Sequence, residues 1–70
     1  MQTSFQLESH EDFARSHALD VKVYVYSVDD INSDPVVVGL ISEWDTYRKI
    51  VIVNDYPYEQ TKFVFLTKGD

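Results

Sequence analysis

The chain reads as a mainly β fold: a small, strongly bent antiparallel β-barrel of four to five strands with a short N-terminal helix. Three observations carry that reading. In DVKVYVYSV, Val21, Val23 and Val25 alternate with Lys22, Tyr24 and Tyr26, the period-two pattern of a strand. Three further β-rich runs, VVVGLISE, RKIVIV and TKFVFLTK, follow at short antiparallel-type connections. Gly39 interrupts the first of these runs, where a residue without Cβ lets the backbone bend and a neighbouring strand approach closely. In 70 residues an open sheet leaves one face unburied, and a curved sheet rolled into a partial barrel solves that problem.

The elements follow in order along one domain, residues 1–70. Residues 1–8 alternate weakly through Phe5 and Leu7, as an edge strand or as a tail packed by Phe5 alone. Residues 9–19 predict a helix. Ser9 followed three positions later by Asp12 has the spacing of a capping box, and Glu11 and Asp12 suit the positive end of the helix dipole. Phe13, Ala14, His17 and Ala18 then share one stripe, so this short helix has to pack on something. The barrel strands occupy 20–67. DDINSDP is a polar loop ended by Pro35, Asp45 and Thr46 supply a turn between Trp44 and Tyr47, and NDYPYEQ reads as a second turn around Pro57. The pattern leaves open whether the Val21, Val23, Val25 row or the Tyr24, Tyr26 row faces the core.

Composition narrows the chemistry. With no Cys, neither a disulfide nor a thiolate zinc site is available, and His10 and His17 alone cannot complete a tetrahedral metal site. No apolar run is long enough to span a bilayer and no export signal is visible, so the expectation is a cytoplasmic protein without a membrane role. Twelve acidic against six basic residues give a formal net charge of −6, which disfavours nucleic acid and points either to a basic protein partner or simply to solubility. Homo-oligomerisation stays open, because so small a domain buries little surface by itself.

No catalytic constellation stands out. His10 and His17 lie seven apart on one helix face, yet no oriented nucleophile accompanies them, so no enzyme is expected and no cofactor is implied. Asp30, Asn32 and Asp34 alternate like the start of a calcium loop. Pro35 stands where that loop needs glycine and Ile41 where it needs glutamate, which excludes an EF-hand. Asp29, Asp30 and Asp34 are therefore candidates for an acidic surface. The candidate contact residues are Trp44, Tyr47, Lys49, Tyr24, Tyr26, Tyr56 and Tyr58, since Tyr and Trp bury much area at small entropic cost. Arg48, Lys49, Lys62 and Lys68 lie in the second half, whereas the first 34 residues hold seven acids.

Gly39, Ile41, Trp44, Asp45, Tyr47, Ile50 and Ile52 together form a pattern, glycine–x–aliphatic–x–x–aromatic–Asp–x–aromatic–x–x–aliphatic–x–aliphatic, preceded by a helix and a strand. This arrangement, over roughly residues 9–54, resembles the first signature of the Sm and Hfq-like small barrels. Other SH3-like small barrels, bacterial YolD-like proteins among them, share a similar glycine-bent hairpin. The resemblance implies an Sm/SH3-like barrel. In typical Sm proteins an Asn near the third strand binds a base and an aromatic stacks on it; the matching positions here are Lys49 and Tyr47. The family's Arg-Gly pair is absent from TKFVFLTKGD, as is the Tyr-Lys-His of Hfq-like proteins, and little chain follows Leu66 for the last strand through which such proteins form rings.

The resulting expectation is a non-enzymatic, acidic binding module acting by protein–protein contact, of the kind found among phage or bacterial regulators and inhibitors of nucleic-acid-handling proteins. Two alternatives accompany it: an Sm/Hfq-like oligomer that binds RNA, and an inhibitor whose acids mimic DNA.

Overall fold

The computed structural model describes residues 3–30 and 34–69. Among these, the chain runs β1 (Thr3–Gln6), α1 (His10–Ala18), β2 (Val23–Ser27), β3 (Val37–Gly39), β4 (Ile41–Asp45), β5 (Ile50–Val53), β6 (Tyr56–Glu59) and β7 (Phe63–Gly69). The strands form two antiparallel sheets, ordered β1-β7-β2-β3 and β4-β5-β6. The chain is mainly β with one short helix. Its radius of gyration, 11.0 Å, matches the roughly 11 Å of a compact 70-residue chain.

The sheets have more strands than the four to five expected, for identifiable reasons. The VVVGLISEWD run is divided at Leu40, where the chain leaves one sheet for the other, so a single bent run contributes both β3 and β4. Tyr56–Glu59, read as turn around Pro57, is the edge strand β6, with Pro57 opposite Ile52. An edge position tolerates proline because the missing N–H is needed by no further strand. The turn is only Asn54 and Asp55, both left-handed at φ 54° and 65°, which is the two-residue hairpin geometry that matches strand twist. The N-terminal segment is the strand β1, and its anchor is Leu7 rather than Phe5. Leu7 is buried and donates its N–H to the Phe65 carbonyl at 2.8 Å, whereas Phe5 is exposed. Consequently β7 is a full final strand, held on one side by β1 and on the other by β2.

The helix begins and ends for local reasons. Ser9 Oγ accepts from the Asp12 N–H, and Asp12 Oδ2 accepts from the N–H groups of Ser9 and Glu8, a complete capping box. Those bonds, that from Glu8 first, lower the Asp12 pKa below its ordinary value. At the other end Asp20 turns left-handed at φ 52°, its N–H donates to His17 O, and the Val21 N–H donates to Ser16 O. That pair of bonds is a Schellman stop with aspartate where glycine is usual.

The core lies between the sheets and under the helix. Val23, Val25, Val51, Val53 and Phe13 are fully buried, Phe65, Ile41 and Leu7 nearly so. Phe13 meets Phe65 edge-on, with ring centroids 6.0 Å apart. The valine row of β2 therefore faces the core, and Tyr24 and Tyr26 lie on the opposite face. Gly39 serves close approach: its φ is not positive, and a Cβ there would land on the Asn54 carboxamide. Asn54 Nδ2 donates to Val38 O at 3.2 Å, bridging β3 to the β5–β6 turn. The bend expected at Gly39 thus places two sheets in contact across a side-chain amide.

Candidate functional site

The β4–β5 hairpin and α1 together build a groove of about 680 Å³, lined in part by His10, His17, Trp44, Ser42, Ile50 and Ile52. Its geometry starts from an irregularity in β4. Ile41 pairs with Val53, but the next paired residue is Glu43, opposite Ile52. One extra residue in β4 is a β-bulge, and it inverts the inward and outward alternation beyond it. Without the bulge, Trp44 would point away from the core-facing side that Ile41 occupies. With it, Trp44 lies opposite buried Val51, half-buried and packed against the core.

The helix meets the indole from above. His10, Phe13 and His17 share one stripe of α1, so the two imidazoles stand on either side of Phe13. Both reach the same indole, with ring centroids 5.5 Å from Trp44 for His10 and 5.7 Å for His17. Trp44 Nε1–H donates to His10 Nδ1 at 2.9 Å. His17 Nδ1 donates to the Ile41 carbonyl at 2.8 Å, which ties the helix to β4. Alternation along β5 puts Ile50 and Ile52 on the face opposite Val51 and Val53, half-buried. They give the groove an aliphatic floor, and Glu43 and Asp45 add acids.

The turn that closes the hairpin is fixed by Asp45. Its Oδ1 accepts from the Tyr47 and Arg48 N–H groups at 3.0 and 3.1 Å, as a short carboxylate does in turns. Arg48 also lies 3.9 Å from Asp45 Oδ2 through Nε, an exposed pair of small energetic weight. The turn ends at Lys49, left-handed at φ 57°, whose carbonyl accepts from the Gln60 N–H.

The residues singled out from sequence do not converge on one surface. Trp44 belongs to the groove, whereas Tyr47 is 94% exposed at the hairpin tip near Lys49, so the two aromatics do not share a surface. Tyr24 lies on the outer face of the four-stranded sheet with the Lys68 ammonium 4.4 Å from its ring centre. Tyr26, on the same face, is buried and offers no contact surface. Tyr56 is exposed and stacks at a tilt on half-buried Tyr58, which in turn meets Phe63 edge-on. Asp29, Asp30 and Asp34 are exposed on the loop after β2; Asn32 lies outside the described residues. Among the described residues no three His, Asp or Glu side chains gather to hold a metal ion, and no helix is long and apolar enough to cross a membrane.

Sequence reasoning assigned no binding role to His10, His17, Ile50 or Ile52. A usable signal existed for the histidines, whose spacing put both on one face of a helix that had to pack on something. No protein-family model, curated protein or solved structure matches this chain.

Proposed function

We propose that this chain is a non-enzymatic module that binds another protein, and that its contact surface is the Trp44 groove. The observation carrying this reading is the pairing, in one groove, of a half-buried indole and an aliphatic Ile50–Ile52 floor with the acids Glu43 and Asp45. A volume of about 680 Å³ is in the range of small ligand sites and accommodates two or three side chains of a peptide. The partner is a basic segment with an aliphatic or aromatic anchor. The anchor sits on the isoleucines, and Lys or Arg side chains meet Glu43 and Asp45, beside the groove's own Arg48, on a molecule of net charge −6. The two sheets, joined through the Gly39–Leu40 bend, are read as an open small barrel of the Sm/SH3-like type. An acidic module of this sort suits a cytoplasmic phage or bacterial regulator that occupies a basic protein surface.

Selection of random displayed peptides against the protein tests this reading. The expected winners carry Lys or Arg beside an aliphatic or aromatic residue, and lose binding to the Trp44→Ala variant by tenfold or more. Winners that are acidic, or that bind Trp44→Ala equally, would overturn it.

A second reading has its own observation. Tyr47 is 94% exposed and stands next to Arg48 and Lys49, an aromatic with two cations of the kind that stacks on single-stranded RNA. Against an Sm-like ring, β1 already occupies the edge of β7 that a neighbouring subunit would pair with. Titration of labelled oligo-U at two salt concentrations decides. Micromolar binding that weakens steeply with salt and is lost in Tyr47→Ala would favour RNA over the protein partner.

A further inference from the structure

We propose that the helix-side wall of the groove is a proton-controlled latch, in which neutral His10 holds Trp44 and protonated His10 releases it. The inference rests on the groove being the binding surface, and it adds how that surface is regulated.

An indole nitrogen carries one hydrogen and has no lone pair to offer, so it only donates. A 2.9 Å bond from Trp44 Nε1 to His10 Nδ1 therefore requires a lone pair on Nδ1. His10 is then the neutral tautomer with its proton on Nε2. The partner of His17 imposes the opposite condition. A carbonyl only accepts, so His17 Nδ1, 2.8 Å from Ile41 O, carries a proton. His17 keeps its bond whether the ring is neutral or an imidazolium. Of two histidines touching the same indole, one loses its bond on taking up a proton and the other keeps it. Imidazole is the side chain whose charge ordinarily changes between pH 5 and 8, so that is the range over which the difference is tested.

Protonation puts Nδ1–H of His10 against Nε1–H of Trp44, two donors face to face. The indole then turns away, and the wall between α1 and β4 keeps only the His17–Ile41 tie near Ile41. The charged groups around His10 are Glu11 on its own helix and, across the groove, Glu43, Asp45 and Arg48, with His17 one turn-pair away. A basic partner meets a wall that has gained positive charge and lost its ordered indole. Binding therefore weakens on acidification.

Trp44 is the only tryptophan, so its indole signals need no assignment by mutation. The test is a pH 8 to pH 5 titration of the free protein by ¹⁵N and ¹H NMR, following the ring nitrogens of both histidines and the indole N–H. At pH 8, His10 is expected as the Nε2–H tautomer and His17 with Nδ1–H. On acidification, protection of the indole N–H, its exchange measured against a free indole at the same pH, should fall by roughly fivefold or more, the loss of one net hydrogen bond, with the midpoint of His10. In His10→Gln, whose amide oxygen accepts at every pH, that step should vanish, while His17→Gln should retain it. Circular dichroism checks that both variants stay folded. An indole that follows His17, or ignores the titration of His10, would overturn the latch, as would His10 in the Nδ1–H tautomer. This readout uses no partner, so its failure is separate from failure of the peptide reading. A peptide selected on the groove adds the second arm: its affinity should fall several-fold from pH 8 to pH 5 in the wild type and stay level in His10→Gln.

Discussion

Replacing Gly39 by alanine probes the contact between the two sheets, and its sign depends on one other residue. The added Cβ would overlap the Asn54 carboxamide, so Asn54 has to swing aside. Swinging aside breaks the bond from Asn54 Nδ2 to Val38 O, worth about 1 kcal/mol net. It also forces a less favourable rotamer, about 0.5–1.5 kcal/mol. Alanine returns about 0.5–1 kcal/mol by restricting the unfolded chain more than glycine does. The net expectation in the wild type is a loss of about 1 kcal/mol. In an Asn54→Gly background the obstacle is gone, and glycine suits the left-handed φ of 54° at that position. There the same Gly39→Ala change should stabilise by about 0.5 kcal/mol. Thermal or urea unfolding of the four proteins gives the coupling, expected near 1.5 kcal/mol. In melting temperature that is a drop of roughly 4–8 °C in one background and a small rise in the other. Additivity within about 0.5 kcal/mol would mean that Gly39 and Asn54 do not share this contact, because independent sites behave that way.

Other outcomes follow from the same structure. Phe13→Ala removes a fully buried ring that meets Phe65 edge-on, and should cost about 3–5 kcal/mol in urea unfolding, enough to unfold much of so small a chain. Asp20→Gly relieves the left-handed residue of the helix stop, and should raise the melting temperature by a few degrees, about 0.5–1 kcal/mol. Asp12 has a folded pKa below its unfolded one, so its contribution is complete above about pH 4 and is lost as pH falls through the folded value. Asp12→Asn should therefore destabilise at neutral pH, and flatten the acid limb of a stability-against-pH curve below about pH 4. Ser9→Ala removes the other half of that capping box and should cost about 1 kcal/mol by the same unfolding assay.

Much of the scaffold was legible because it is written in local, periodic signals. The Ser9–Asp12 spacing gave the helix start within one residue, and the Val21–Tyr26 alternation gave β2. Gly39 marked the place where two sheets approach. What escaped depends on partners distant in sequence. Pro57 looks like a turn residue until β6 is known to be an edge strand. Phe5 and Leu7 are equivalent in the alternation, and only the Phe65 carbonyl decides that Leu7 is the buried one. Tyr26 looks as presentable as Tyr24, yet it is buried. The site was hidden by a single extra residue in β4. A strict two-residue period from Ile41 sends Trp44 to the wrong side of its strand. The bulge returns it to the helix, and with it come His10 and His17, whose shared face had no visible target in the sequence.

The Trp44 groove is the proposed contact surface, and binding there is open to direct measurement. The most direct measurement is chemical-shift mapping of the ¹⁵N-labelled protein with a selected basic peptide at pH 7.5. The largest shifts should fall on the Trp44 indole N–H, His10, His17, Ile50 and Ile52. Shifts concentrated at Tyr47–Lys49, or on the outer face around Tyr24, Val36 and Val38, with the indole unmoved, would contradict it.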